Sequence, residues 1–188
     1  MSRETVVLSE TEMRMAGLLG TMRENENKGR PDIADYDQKR FNVNSLQNNV
    51  LGVMGEMAVA KWMGLGQDVL NNERTDIWAG FVPSSEYHLL EGPDIAGKVE
   101  VRACRKRSNP LPIRWKDVEA EAIIIHVYVD FDWTENGTKV KPTGEVEILG
   151  WADAKEDWKT GTIPSWSMGG ARVVNRRPLN TLDLEGLL

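Results

Sequence analysis

The sequence has few of the residues that mark secreted, metal-thiolate or membrane proteins. Cys104 is the single cysteine and there are two histidines, which excludes a disulfide framework within one chain and a closed Cys/His zinc site. A reducing compartment such as the cytoplasm is therefore expected, while a metal site completed by carboxylates stays open. No apolar run approaches the 18 residues of a transmembrane helix, and the opening MSRETVVLSETEMR is charged where a signal peptide is apolar. We expect no membrane contact.

The composition is that of one ordinary globular domain. The chain has 188 residues, of which 40% are hydrophobic and 28% charged. These values exclude a disordered chain, a collagen-like fibre and a coiled coil. We expect a single globular unit, with a helix and a connecting loop over residues 1–44 and the main domain over residues 45–188.

The charges are unevenly placed along the chain. The net charge of −6 argues against a protein that coats nucleic acid. Six bases and no acid lie between Arg102 and Lys116, whereas eight acids and two lysines lie between Asp117 and Glu147. Two solvated faces would explain this separation, and so would a local phosphate-binding surface on an acidic protein.

Two helices are predicted in the first 65 residues. The first begins after Ser9, because Ser9 and Glu12 fit a capping box, and it ends before Gly29. The second runs from about Ser45 to Leu65 and is apolar around most of its circumference. Such a helix is expected to be buried on more than one side.

Strand patterns follow the second helix. Residues 122–131 are apolar on both faces and predict a strand inside the sheet, and residues 98–104 are expected to pair with 111–115. The order of helices, then strands, then a short helix predicts an α+β or mixed α/β fold around one sheet. The complete set of candidates is strands at 76–82, 98–104, 111–115, 122–131, 145–151 and 171–174, a turn at 135–138 and a short helix at 152–158.

The segment from Asp94 to Arg102 is the most informative. On a strand, Lys98, Glu100 and Arg102 would point to one face, about 7 Å apart in succession. A carboxylate between two cations suits a metal and phosphate site, and the preceding turn could bring Asp94 towards Glu100. A ladder of salt bridges on an exposed strand face is the alternative interpretation.

Glu56 is a carboxylate inside the apolar second helix. The residues three and four positions away from it are small or apolar, so its charge is costly unless it is paired or bound to a metal. It could instead reach solvent or pair with a lysine or arginine. We expect Glu56 to lie on the same side of the sheet as Asp94 and Glu100, with the three carboxylates close enough to share a cation.

These segments together resemble a known superfamily. The stretch GEMAVAKWMG from Gly55, followed by Asp94, Gly97 and Glu100-Val101-Arg102, resembles the PD-(D/E)xK nucleases, and more narrowly small uncharacterised members encoded by tailed bacteriophages. The segment from Gly150 to Lys155 is similar to a glycine–tryptophan stretch near the end of such proteins. The resemblance covers residues 45 to 180 and implies a restriction-endonuclease-like core, a mixed sheet flanked by helices.

The resemblance also implies an activity, the hydrolysis of DNA phosphodiester bonds with Mg²⁺ or Mn²⁺ in the cytoplasm of a host cell. Glu56, Asp94 and Glu100 would be the metal ligands, and Asp94 and Glu100 would also be catalytic. Lys98 or Arg102 would orient the attacking water or neutralise the phosphate. Arg102 stands where the superfamily has lysine, and arginine cannot accept a proton.

The bases that follow the strand are the candidates for contact with DNA. They would neutralise backbone phosphates, and they are Arg105, Lys106, Arg107, Arg114 and Lys116. Trp115 is expected to be a core or interface side chain, since LPIRW alternates like a half-buried strand. Cys104 and His126 are expected to be buried structural residues.

The alternative hypothesis is a function of a different class, without catalysis. It is a non-catalytic protein that keeps the nuclease fold and binds DNA, or binds and inhibits a host protein. The arginine at position 102 and the acidic net charge favour it. A salt bridge from Asp94 or Glu100 to a neighbouring arginine would favour it further.

Overall fold

A computed structural model describes residues 4–27, 45–65, 94–95, 97–133, 140–165 and 170–187. The strand predicted at 76–82 and the turn at 135–138 lie outside these residues. In chain order the elements are β1 (Glu4–Val7), α1 (Glu10–Asn27), α2 (Ser45–Trp62), β2 (Val99–Cys104), β3 (Leu111–Ile113), α3 (Trp115–Glu119), β4 (Ile123–Trp133), β5 (Val140–Asp153), α4 (Ala154–Asp157) and β6 (Arg172–Val174), followed by 3-10 turns at Leu179–Thr181 and Glu185–Leu187.

The described strands form one mixed sheet of four and one pair. The order in the main sheet is β1-β5-β4-β2, in which β4 is parallel to β2 and antiparallel to β5. The predicted position of residues 122–131 inside the sheet is therefore confirmed. The coarse prediction of a mixed α and β fold, with a mixed sheet and helices, is confirmed as well.

The predicted pairing of residues 98–104 with 111–115 is wrong. β2 pairs with β4, and β3 pairs antiparallel with β6 in a separate two-stranded sheet. The reason is burial, because Leu111 and Ile113 are fully covered and belong to a core cluster with Ile124 and Ala152. β3 therefore covers a face of the main sheet, where it removes apolar area from water, instead of extending the sheet edge.

The main sheet has a hydrophobic core on each face. The larger one packs α2 against the sheet and includes Val53 and Val101 with Ile125 and Val127. α2 approaches closely because residue 55 is glycine: a Cβ there would lie 2.9 Å from Cγ2 of Val127. The smaller core, formed with β3, lies on the opposite face, since Ile124 alternates with Ile125 along β4.

Local sequence signals explain how α1 begins. The Ser9 N–H donates to Oε2 of Glu12 at 2.6 Å, and the Glu12 N–H donates to Oγ of Ser9 at 3.2 Å, which is the predicted capping box.

The C-terminal part of the chain also contributes to the larger core, where Leu179 is buried. Within the described part of the chain, every helix is too short or too polar to cross a membrane.

Candidate functional site

The strand register fixes which face of the sheet carries Glu100 and Arg102. They pair side by side with Ile124 and His126 of β4. Side chains at the same register position of adjacent strands point to the same face. Since Ile124 belongs to the smaller core, Glu100 and Arg102 project from the face opposite α2.

A buried ion-pair network surrounds Arg102 on that face. One guanidinium nitrogen pairs with Oε1 of Glu100, and Nη2 donates to both oxygens of Asp117 at 2.8 Å. Nζ of Lys116 lies 3.4 Å from the same Glu100 oxygen. Glu100 is 4% exposed and Asp117 2%. Burial opposes the charge on Arg102, but the charges of Glu100 and Asp117 outweigh it and raise the pKa of Arg102.

Glu56 lies on the side of the sheet that α2 covers, and its partner is an arginine. Arg23 of α1 donates from Nη1 to Oε1 of Glu56 at 2.7 Å and from Nη2 to Oε2 at 2.6 Å, a bidentate pair. Glu56 is buried, so the ion pair replaces its contact with water. Burial opposes the charge on Arg23, but Glu56, and then Asp94 and Glu100, raise the pKa of Arg23.

Asp94 sits beside β2, on the side away from β4. The Ile123 N–H donates to the Lys98 carbonyl at 2.9 Å, so in this parallel pair the backbone groups of Val101 point the other way. There the Val101 N–H donates to Oδ2 of Asp94 at 2.8 Å. Burial, and then the charges of Glu56 and Glu100, raise the pKa of Asp94 well above its usual range.

The three carboxylates proposed as metal ligands are thus electrostatic neighbours but do not form one site. We expected Glu56 on the same side of the sheet as Glu100; the register places them on opposite sides, with Asp94 at the flank of β2. Among the described residues, no three acidic, histidine or cysteine side chains converge so as to hold a metal ion. Arginines hold both glutamates instead. In this arrangement the residues do not fit a preformed site for a divalent cation.

The predicted DNA-contacting bases lie after β2, as expected, but two of them, Arg107 and Lys116, hold carboxylates. Arg107 donates from Nε and Nη2 to Glu147 at 2.7 to 2.9 Å and lies 4.0 Å above the Tyr128 ring. Arg105 is half-buried, whereas Lys98, Lys106 and Arg114 are exposed. Within the described residues, no acid pairs with Lys98 or Lys106.

The β3–β6 pairing adds bases that the sequence pattern did not connect. It places residues 170–177, which contain three arginines and no acid, beside the basic stretch 102–116. Arg176 donates from Nη1 to the Arg107 carbonyl at 3.1 Å, which ties the two segments together. We call the exposed and half-buried bases of these two segments the basic surface; it consists of Arg105, Lys106, Arg107, Arg114, Lys116, Arg172, Arg176 and Arg177.

Trp115 is exposed, so its predicted place in a core is wrong, while the predicted alternative of an interface stays a prediction. It is 55% exposed because residue 115 begins α3 rather than ending a strand. Asp117 accepts the Arg114 N–H at 2.8 Å and so fixes this helix start. The indole packs edge-on against Trp158, with 5.5 Å between ring centroids, and donates to Glu119 at 2.9 Å.

Cys104 and His126 are buried, as predicted. Burial raises the pKa of Cys104 to about 11, so its thiol is protonated near neutral pH. Burial, and then the charges of Arg176 and Arg102, lower the pKa of His126 to about 3, so its ring is neutral. A protonated thiol is a poor nucleophile, and an imidazole with so low a pKa is too weak a base to take up a proton at pH 7.

The sequence did not identify Arg23, Asp117 or the arginines of residues 170–177 as part of this region. Asp117 had a local signal in the sequence, its position at the start of a helix. Arg23 had no such signal, because it lies in a polar helix, 33 residues from Glu56. No protein-family model, curated protein or solved structure matches the chain. The resemblance to the PD-(D/E)xK superfamily therefore stays a prediction.

Proposed function

We propose that this chain is a nuclease-like protein, with a restriction-endonuclease-like core, that binds DNA through the backbone phosphates on its basic surface. The observation that carries the proposal is the β3–β6 pairing, which brings the segments 102–116 and 170–177 together. These segments contain nine bases and no acid, on a chain whose net charge is −6. Such a local concentration of bases attracts a polyanion in spite of the net charge.

The acids that pair with this surface do not prevent phosphate binding. Arg107 and Glu147 are 44% and 19% exposed at their side chains, and Arg177 and Glu156 are 33% and 65% exposed. Both pairs lie at the surface and are partly open to water, so a DNA phosphate can compete with the carboxylates for these guanidinium groups. Lys106 and Lys98 are exposed and need no such exchange.

The carboxylates favour binding over hydrolysis in this arrangement. A salt bridge to Glu100 was the feature expected of a non-catalytic protein, and Arg102 forms it. Its guanidinium also holds Asp117, so moving Arg102 away would leave Asp117 buried without this counter-ion and Glu100 with Lys116 alone. If the protein does not bind DNA, the alternative function is to bind or inhibit a host protein.

Fluorescence anisotropy with a labelled DNA duplex tests the proposal. Replacing Arg105, Lys106 and Arg107 with alanine should weaken binding and make its salt dependence less steep, because fewer counter-ions are released. Arg14→Ala is the control, because it also removes an exposed base but lies outside the basic surface, on α1, the helix that packs on α2. Equal affinities for the triple variant and Arg14→Ala would overturn the proposal.

A second candidate function is hydrolysis of DNA by the carboxylates together with Mg²⁺ or Mn²⁺. One observation favours it: the charges of Glu56 and Glu100 both act on Asp94, so the three predicted ligands lie in one electrostatic neighbourhood. The predicted roles of Lys98 and Arg102 in orienting water or phosphate belong to this candidate. Arg102 cannot act as a base in it, because Glu100 and Asp117 keep it protonated.

Incubation of labelled single- and double-stranded DNA with Mg²⁺, Mn²⁺ or EDTA distinguishes the two functions. If the protein hydrolyses DNA, Glu100→Gln should abolish cleavage while binding persists or tightens, because an amide is a poorer ligand and one negative charge is lost. Absence of cleavage by the wild-type protein with either cation would leave binding alone. Cleavage that Glu100→Gln does not reduce would exclude Glu100 from the reaction.

A further inference from the structure

A cavity lies where the two basic segments meet, and three arginines of the basic surface line it. Its volume is about 790 Å³, which is larger than a phosphate group alone requires. Its walls are formed by residues 107–110 and 174–179 together with Leu149. The walls combine three arginines with apolar side chains, among them Leu149, Val174 and Leu179.

Arg176 is the arginine of this cavity whose charge is not balanced by a carboxylate. Arg107 holds Glu147, and Arg177 holds Glu156 and Asp157 at 3.0 and 2.9 Å. Within the described residues no acid pairs with Arg176. Its side chain is half-buried, so its charge is partly shielded from water and acts more strongly on a bound anion.

The Arg176 guanidinium is also fixed in position. Both of its described contacts use Nη1, which donates to the Arg107 carbonyl at 3.1 Å and lies 3.5 Å from Nδ1 of His126. His126 is 1% exposed and neutral, so it supports the guanidinium without balancing its charge. Nε and Nη2 have no described partner, and together they form the edge that binds a phosphate through two parallel hydrogen bonds.

A glycine of β5 allows the backbone of Arg176 and Arg177 to approach the sheet. Gly150 has φ +145°, and a Cβ there would lie 2.7 Å from the Arg177 carbonyl oxygen and 3.0 Å from Cβ of Arg176. The adjacent Trp151 exchanges backbone hydrogen bonds of 3.2 and 2.7 Å with Arg177. The cavity wall is therefore held by the main sheet, as a preformed binding site requires.

We propose that this cavity binds a nucleotide, with its phosphate on the Nε–Nη2 edge of Arg176 and its sugar or base against the apolar wall. The combination of one fixed, unbalanced guanidinium with apolar side chains matches a phosphate joined to a flat, partly apolar group. The nucleotide can be a free monophosphate or the 5′-phosphorylated end of a DNA strand. Only the strand-end source rests on the proposed DNA binding.

Calorimetric titration with deoxyadenosine 5′-monophosphate, deoxyadenosine and inorganic phosphate tests the cavity directly. The monophosphate should bind more tightly than either fragment, and Arg176→Gln should weaken it about 10-fold or more, as expected for loss of a bidentate charged contact. Arg176→Lys should restore only part of the affinity, because an ammonium cannot make the planar pair. Arg14→Gln is the control for charge, and circular dichroism shows whether each variant is folded.

A second titration separates the two sources and the two proposals. Oligonucleotides that differ only in a 5′-phosphate or a 5′-hydroxyl are compared on wild-type protein and Arg176→Gln. A preference for the 5′-phosphate that Arg176→Gln removes assigns the cavity to strand ends. Monophosphate binding without any DNA binding would support the cavity and overturn the proposed function. DNA binding with no monophosphate binding, no end preference and no effect of Arg176→Gln would overturn the cavity proposal alone.

Discussion

At the scale of single residues, the predicted role of Glu100 as a metal ligand depends on which group serves as its counter-ion. The Arg102 guanidinium occupies that role together with Lys116, and it also holds Asp117. A buried pair of this kind stabilises the fold little relative to apolar residues, but breaking it leaves an uncompensated charge. The same contacts that keep two acids buried therefore keep them from a metal.

Replacing Arg102 tests whether the network has this structural role. Arg102→Met should lower the free energy of unfolding by about 3 to 5 kcal/mol, because buried Asp117 loses the guanidinium that holds it and Glu100 keeps Lys116 alone. Arg14→Met removes an exposed pair with Glu10, with side chains 79% and 74% exposed, and should cost less than about 0.5 kcal/mol. Urea denaturation measures both. Equal midpoints for the two variants would show that the Arg102 network does not support the fold.

His126 gives the protein a defined sensitivity to acid. Its pKa is about 3 in the folded protein against 6.5 in an unfolded chain, so between these values the unfolded state binds a proton that the folded state does not. Stability is unaffected above about pH 6.5 and falls as the pH drops towards 3, by at most about 1.4 kcal/mol per pH unit.

His126→Gln should therefore reduce the loss of stability between pH 6.5 and 3. Glutamine cannot titrate in this range, yet its side-chain oxygen can still accept from Arg176. Urea unfolding of both proteins at several pH values in this range measures the difference. Parallel curves for wild type and His126→Gln would show that protonation of His126 does not contribute.

At the scale of elements, the C-terminal segment is held to β5 by a glycine. The positive φ of Gly150 and the 2.7 Å approach of the Arg177 carbonyl leave no room for a methyl group. Gly150→Ala should destabilise the protein by about 1 to 3 kcal/mol and weaken ligand binding in the adjacent cavity. Thermal unfolding and nucleotide titration are the measurements.

A second glycine provides the matched control. Gly17 lies within α1 and a Cβ there would contact nothing within 4 Å, so Gly17→Ala should raise stability by about 0.5 to 1 kcal/mol. Opposite signs for the two substitutions are expected. A neutral or stabilising effect of Gly150→Ala would contradict the close approach of the 176–177 backbone to β5.

Elements with a strong local signal were predictable from the sequence. The capping box set the start of α1, and the apolar run of β4 indicated a strand covered on both faces. β3 was mispaired because a three-residue strand has no pattern that specifies its partner. Its neighbour was decided by the burial of Leu111 and Ile113, a property of the assembled fold.

At the scale of the whole molecule, alternation along β2 correctly placed Glu100 and Arg102 on one face. It could not show that α2 and Glu56 would lie on the other, because the side on which a helix packs depends on long-range contacts. The same limit applied to Arg23, whose contact with Glu56 joins two helices. The sequence also did not show that residues 170–177 belong to the basic surface, because these residues are distant from 102–116 along the chain and meet them only through the β3–β6 pairing.

The chain is thus acidic in total but basic in one region, and three acids of the described residues near that region, Glu100, Asp117 and Glu147, pair with arginines. Two consequences follow for binding. Phosphate contacts should depend on salt rather than on a divalent cation, because lysine and arginine side chains provide the charge. Sequence preference should be weak, because phosphate contacts position a strand without reading its bases.

The most direct test of this account is DNA binding measured by anisotropy in EDTA, across salt concentrations from about 50 to 200 mM. The expected result is saturable binding without any divalent cation, weakening steeply as salt rises, with the DNA intact at the end. Binding that is absent in EDTA at low salt, and appears only with Mg²⁺ or Mn²⁺ together with cleavage, would contradict it. That result would assign the carboxylates to a metal-dependent nuclease instead.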